Sequence, residues 1–373
     1  MDKSWLTRVE RSLSPLMANG VENKVFPGAA VGLYHNRQEE NTFIGVYGTT
    51  RNDEKGEVVV PETLFDLASL TKPLCTVLGM LCLLQGGKIR LESRLADVGN
   101  YNLRTEFNDI TVRHLLCHSS GLPAYKPYYA SFAPVINKKN KPGILKAILD
   151  EQLAYRPGSK CVYSDLGFIL LGDVIETAAG QPLDIFFQRR IIGPLGLEKQ
   201  ILFRPVSSSA GKGVKNIAAT EQCLWRGRMI QGEVHDEHSW LMNGVAGHAG
   251  LFGTIGGVLS LVVHLLKQWR GEGCHPEFSG SLLRQALTRQ YAGQTWCLGF
   301  DTPSSDHSSA GKYFSSRSTG HLGYTGTSFW MDPDRELAVV LLSNRVHPTR
   351  TNERIKRFRP RFHDAVVEAV EGK

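Results

Sequence analysis

Residues 65–72 read Phe65-Asp66-Leu67-Ala68-Ser69-Leu70-Thr71-Lys72. They open a stretch, 69–85, that is apolar nearly all round, with Leu74, Val77, Leu78, Leu81, Cys82 and Leu84. A helix with no polar face is buried on every side, and Gly86-Gly87 stops this one. Ser69 stands at the helix start, and Lys72, three residues on, shares its face. A serine hydroxyl is a weak nucleophile until a neighbouring base takes its proton. Burial disfavours the ammonium and lowers a lysine pKa, so Lys72 is expected to serve as that base. The free N–H groups and positive dipole end of the helix start favour the oxyanion of acyl transfer. The competing structural reading makes Ser69 a helix N-cap. Ser-x-x-Lys recurs at Ser209/Lys212 and Ser309/Lys312, both as Ser-Ala-Gly-Lys in polar loops. Neither opens an apolar helix, so both read as chance.

Strand signals sit at the two ends of the chain. Gly28–His35 and Thr42–Tyr47 flank a polar turn and predict a hairpin, and Thr327–Met331 and Leu337–Leu342 predict two late strands. An amphipathic helix over 4–19, containing Pro15, precedes the first pair, and another over about 352–370 follows the last. Helical patterns at 111–118, 144–154, 164–179, 183–191 and 256–269 fill the middle, with a Ser/Gly-rich surface loop at 205–216. This order predicts an α/β (α+β) fold, an antiparallel sheet flanked by helices and built from both chain ends. A mainly helical domain is inserted in it. The expected division is 1–66 with 250–373, against 67–249, with the site between them.

Two further motifs follow Ser69 and Lys72 in order. Cys161-Val162-Tyr163-Ser164-Asp165-Leu166-Gly167 ends a loop and opens a helix. Gly320-His321-Leu322-Gly323-Tyr324-Thr325-Gly326-Thr327 is a glycine-rich approach to a strand, where backbone can come close to a substrate. A Ser-x-x-Lys, a Tyr-x-Asn-like triplet and a Lys-Thr-Gly-like triplet, in that order, resemble the penicillin-recognising serine hydrolases. The chain as a whole resembles the class C β-lactamase-related family, which includes DD-peptidases, D-aminopeptidases and esterases. Thr111–Pro123 resembles that family's RHLLTHTSGLP segment, Gly244–Phe252 its GxAGxAGGLxST segment, and Leu341-Leu342-Ser343-Asn344 its last strand. The similarity runs from about residue 28 to 352.

The resemblance implies that Ser69 is the acylated nucleophile, Lys72 its proton partner and Tyr163 the shuttle to the leaving group. It places the oxyanion hole at the N–H groups of Ser69 and Tyr324, with Gly323 alongside and Tyr125 as a substrate contact. Two residues depart from the pattern. Asp165 stands for the usual asparagine, and a carboxylate beside Lys72 favours the ammonium and shifts base character towards Tyr163. His321 stands for the usual lysine; it can donate a hydrogen bond but carries charge part of the time near neutral pH. Both departures argue against an efficient β-lactamase. The substrate expected is a small molecule or peptide, of the D-amino-acid peptide or β-lactam class. A carboxylesterase of the same family is the alternative. A non-catalytic relative used for assembly or sensing is a third reading, and the intact Ser69, Lys72 and Tyr163 oppose it.

Composition bounds these readings. With 373 residues, 42% hydrophobic and 21% charged, the chain can bury a large core and is not disordered. The net charge of +7 invites a nucleic-acid partner. Residues 345–361, however, carry +6 of it, which leaves +1 for the rest and no basic face for nucleic acid. In the resembled family this junction meets a substrate carboxylate. Arg350 and Asn352 are therefore the candidates for that role, while Arg354 to Arg361 read as a solvated helix face. Seven scattered cysteines without a CxxC pair read as free thiols in a reducing compartment. No secretory signal is read in Met1–Arg11, and the apolar runs 73–86 and 255–266 are shorter than the roughly 18 residues of a membrane span. A cytoplasmic protein is expected, with no membrane partner and no cofactor. His235-Asp236-Glu237-His238 lacks the spacing of a metal motif, so no metal is expected either. His114, His118 and His248 are read as structural hydrogen-bonding residues, and Cys117 as buried.

Overall fold

A computed structural model describes residues 5–38, 40–99, 101–209 and 215–372. The strands are β1 (Gly28–His35), β2 (Thr42–Gly48), β3 (Phe65–Asp66), β4 (Ile201–Phe203), β5 (Gln222–Cys223), β6 (Arg228–Met229), β7 (Leu251–Gly253), β8 (Thr319–Leu322), β9 (Ser328–Asp332) and β10 (Leu337–Ser343). An antiparallel five-stranded sheet runs β2-β1-β10-β9-β8, so both chain ends build it, as the sequence predicted.

The alternation of side chains along each strand sorts the sheet into two buried faces. Ala29, Val31, Leu33, Trp330, Val339 and Leu341 pack with Val9, Leu13 and Met17 of the helix Trp5–Glu22 and with Phe358, Phe362 and Val366 of the helix Ile355–Glu371. Ala30, Phe329, Met331, Val340 and Leu342 face the larger core, with Leu259 and Val262 of the helix Ile255–Arg270. Every residue of β1 and β10 is buried, which explains their continuous apolar runs.

A second, three-stranded sheet, β3-β7-β4, brings together three distant segments. It anchors the motif at 65–72. From β3 the chain turns through Ala68, whose φ of +48° is unusual for a residue with a Cβ. It then forms a 3₁₀ turn at Ala68–Leu70, a wide π-helical stretch at Lys72–Val77 and an α-helix at Leu78–Gln85. The helical run Ala68–Gln85 has 18 residues and exceeds the apolar length read from the sequence. With 83% of it buried inside the fold, it is a core helix. Between 205 and 216 the expected loop contains a short helix, Val206–Ser209; Lys212 lies outside the described residues, as do Met1–Ser4. Lys312 is exposed, in line with the chance reading of Ser309/Lys312.

Candidate active site

The turn before Ser69 is held from several sides. The Asp66 carboxylate accepts the Ala68 N–H at 2.8 Å and the His235 N–H at 2.7 Å. Thr71 Oγ1 donates to the Ala68 carbonyl at 2.6 Å. The β8–β9 turn is tied to the same segment: Thr325 Oγ1 donates to the Asp66 carbonyl at 2.7 Å, and Thr327 Oγ1 to the Leu67 carbonyl at 3.2 Å. Gly323 lies so close that a Cβ there would sit 1.9 Å from Thr327 Oγ1 and 2.8 Å from the Leu67 carbonyl oxygen. These ties bring Tyr324 to the wall of the cavity that Ser69 lines. The Tyr324 N–H donates to no group among the described residues.

Ser69 Oγ accepts from Lys72 Nζ at 3.0 Å and from the Tyr163 hydroxyl at 2.9 Å. Lys72 is 0% exposed. It also donates to the His248 carbonyl at 3.1 Å and pairs with Asp165 Oδ1 at 2.7 Å. Burial pulls its pKa down, but Asp165 and Tyr163 outweigh burial and hold it above the ordinary lysine value. This corrects the expectation of a lysine made basic by an apolar site. The ammonium is retained because its partner is a carboxylate rather than the usual amide. Burial, opposed by Lys72, pushes the Tyr163 phenol up to about 12.

His321 is 2% exposed, and burial pushes its pKa down to about 3, so it is neutral. Its Nδ1 lies 2.8 Å from the Leu322 carbonyl and must donate to it. That leaves Nε2 as a lone-pair acceptor, buried and without a partner among the described residues. The expectation of a partly charged donor at this position is therefore corrected. The ring faces Tyr163 and Trp296, at 6.0 and 5.9 Å between centroids.

Ser69, Tyr163, Asp165, His321, Gly323, Tyr324, Tyr125 and Arg350 line one cavity of about 660 Å³. Asn352 does not reach it. Its amide instead donates to the Lys24 and Val25 carbonyls at 2.9 and 3.2 Å, which makes it a backbone clamp. Arg350 reaches the wall, but its guanidinium already holds Glu221 at 2.8 Å and also Glu237. Two arginines that the sequence reading left aside are better placed. Arg345 donates to the Tyr324 carbonyl at 2.8 Å and stacks 4.5 Å over the Tyr324 ring. Arg359, 7% exposed, donates to the Gly323 and Thr327 carbonyls at 2.7 and 2.9 Å. Both line the cavity, and neither has an ion-pair partner among the described residues. Burial lowers the pKa of each, as expected for cations without a counter-ion. The one signal for them was the basic cluster itself, and Arg359 corrects its reading as a solvated face.

The four residues His235-Asp236-Glu237-His238 go to separate partners. His235 Nε2 lies 3.0 Å from Glu221, Asp236 pairs with His248 at 2.8 Å, Glu237 binds Arg350, and His238 Nε2 accepts the Tyr129 N–H at 3.3 Å. Asp236, His238 and His248 do bring ligand-type atoms within 4.8 Å of one another. However, the lone pair of His238 Nε2 is occupied, and Asp236 is taken up by His248 and by the Ser239 N–H at 2.7 Å, so the trio is wired as a hydrogen-bond network. His118 accepts the Ser164 N–H at 3.0 Å and His114 joins a capping box with Thr111; both bond as expected, and Cys117 is buried. Trp296 has no sequence signal; its ring lies tilted against Tyr163, 5.5 Å between centroids, at the cavity wall.

Comparison with known proteins bears on the family and the fold. The family profile described as Beta-lactamase matches residues 13–360. A protein of Escherichia coli K12, provisionally named a D-alanyl-D-alanine carboxypeptidase, is 33% identical over 315 residues, covering 76% of this chain and 70% of its own. A Salmonella typhimurium protein with the same provisional name is 30% identical over 321 residues, covering 79% and 72%. Among solved structures, EstCE1, described as a hydrolase with promiscuous acyltransferase activity, superposes with a TM-score of 0.75 at 20% identity, covering 96% of this chain and 98% of its own. The octameric penicillin-binding protein homologue from Pyrococcus abyssi gives 0.72 at 19% identity, covering 100% and 78%. The chain belongs to the beta-lactamase family, and its fold and relatives make it a serine hydrolase.

Proposed function

We propose that this hydrolase acts through an acyl-enzyme at Ser69 on D-amino-acid peptides bearing a free carboxylate. The observation that carries the reading is the trio itself: Ser69 Oγ sits within 3.0 Å of Lys72 Nζ and 2.9 Å of the Tyr163 hydroxyl, in a cavity that also holds His321 and Tyr324. Because Asp165 keeps Lys72 as an ammonium, the base is Tyr163: its phenol rests protonated, and the small fraction that has lost its proton, steadied by Lys72, takes the Ser69 proton. Oγ then attacks the scissile carbonyl. The oxyanion is received by the N–H groups of Ser69 and Tyr324. Tyr163 returns the proton to the leaving atom, and water reverses the sequence to release the acid. Arg345 and Arg359 supply the unpaired positive charge that a substrate carboxylate needs, in place of Arg350 and Asn352. The provisional carboxypeptidase names of the relatives support this substrate class. A cytoplasmic role in peptide recycling accords with the seven free cysteines.

Intact-mass detection of a covalent adduct tests this reading. The panel is a D-Ala-D-Ala peptide, its C-terminal amide, a p-nitrophenyl ester and a cephalosporin. The expected adduct maps to Ser69, is absent in Ser69→Ala, and forms faster with the free acid than with its amide. Adducts from the ester alone would favour the carboxylesterase reading. Full activity in Ser69→Ala on every substrate would refute the mechanism.

A further inference from the structure

We infer that His321 reads the leaving side of the scissile bond, and that its acceptor Nε2 selects substrates whose leaving atom carries a hydrogen. The substrate class is then a secondary amide, in preference to esters and to amides with a fully substituted nitrogen, the β-lactam ring included. The inference rests on the Ser69 acyl-enzyme reading above.

The tautomer is the first step. A carbonyl can only accept, so the 2.8 Å contact with the Leu322 oxygen places the proton on Nδ1. Nε2 is left as an acceptor, buried and unpartnered among the described residues, on a side chain 2% exposed that lines the same cavity as Ser69. A buried acceptor without a donor is costly, so a ligand that brings the donor is favoured over one that does not.

Position is the second step. The Tyr324 N–H marks the oxyanion side of Ser69. The leaving atom must lie towards Tyr163, because of the two groups bonded to Ser69 Oγ, Lys72 and Tyr163, it is Tyr163 that lines the cavity and can hand a proton to a bound substrate. The His321 ring lies beside Tyr163, 6.0 Å between centroids. In acylation of an amide, the Ser69 oxygen–carbon bond forms, the carbon–nitrogen bond breaks, and the serine proton ends on nitrogen, which departs as an amine. The N–H already present gains acidity as nitrogen takes that proton. Its hydrogen bond to Nε2 strengthens towards the transition state, and His321 itself gains no proton. An ester oxygen has no hydrogen to offer at this stage, and a substituted nitrogen has none at any stage.

Three substrates with one acyl group test this: a peptide ending in D-alanine, the depsipeptide ending in D-lactate, and the peptide ending in N-methyl-D-alanine. Each is assayed as kcat/KM with wild type, His321→Lys and His321→Gln, and Ser69 labelling by a fluorophosphonate is followed by mass. In wild type the secondary amide is expected to exceed the N-methyl amide by at least about tenfold. The amide-to-depsipeptide ratio is expected to fall by about tenfold or more in His321→Lys, which offers donors alone, and to recover in part in His321→Gln, which can accept. Equal turnover of the amide and the N-methyl amide by wild type overturns the inference without recourse to any variant. So does an unchanged ratio in His321→Lys with Ser69 still labelled. Wild type left unlabelled at Ser69 overturns the serine reading, and this inference with it.

Discussion

One side-chain oxygen changes the chemistry around Ser69. Asp165 carries a carboxylate 2.7 Å from Lys72, and it raises the proton affinity of both Lys72 and Tyr163. Asp165→Asn removes that charge, so both groups lose protons at lower pH. On the proposed mechanism activity needs deprotonated Tyr163, which the loss of the Asp165 charge makes easier to reach. The rising limb of the pH–kcat/KM profile is therefore expected to move acidward by about one pH unit. A limb that stays in place, or moves to higher pH, would show that Asp165 does not set the base. The departure from asparagine was visible in the sequence, and so was its sign. The distance that turns it into a retained ammonium was not, because Lys72 and Asp165 come from separate helices.

At the scale of elements, the proposed oxyanion wall depends on one turn docked against one strand end. Thr325 and Thr327 of the β8–β9 turn bond to the carbonyls of Asp66 and Leu67, and Gly323 permits the approach. Gly323→Ala places a methyl group against Thr327 Oγ1 and the Leu67 carbonyl, and the turn must shift. The Tyr324 N–H shifts with it. Removing one oxyanion donor costs about 10²-fold in kcat, and a loss of that order is expected here, measured on any substrate turned over. A fall in KM-dependent terms alone, with kcat intact, would contradict the placement. The sequence marked this segment as a place of close backbone approach through its glycines. The partner surface, Asp66 and Leu67, became known through the fold, since the pairing of Phe65 and Asp66 with β7 and the Leu67 N–H bond to the Leu251 carbonyl orient it.

At the scale of the molecule, Arg350 joins segments far apart in the chain. It holds Glu221, which neighbours β5, and Glu237, at the start of a short helix lining the cavity. Burial would raise the Glu221 pKa, but His235 and Arg350 outweigh it and hold the carboxyl at about 2. A depressed folded pKa contributes stability that is full above the ordinary carboxylate range and is lost as pH falls through the folded value. Glu221→Gln is therefore expected to destabilise the protein by about 2 kcal/mol at pH 7, read by denaturant unfolding. The difference from wild type is expected to shrink between about pH 4 and pH 2. A gap that stays constant down to pH 3 would assign Glu221 a packing role instead. The same network explains why Arg350, a fair candidate from the sequence, gives way to Arg345 and Arg359 in the proposed carboxylate site. Charge count located the cluster, but only contacts with Glu221 and Glu237 show which member is neutralised.

The sequence by itself determined the buried helix that opens at Ser69, the strands at both chain ends and the order of the three motifs. These follow from local patterning: an apolar run without a polar face, alternation along strands, and residue types at short spacing. The tertiary structure alone decided which groups carry protons and which cations stay unpaired. Lys72 remains an ammonium, His321 keeps its proton on Nδ1, and Arg359 turns inward, because each is settled by distances of about 3 Å between atoms that the chain itself keeps apart.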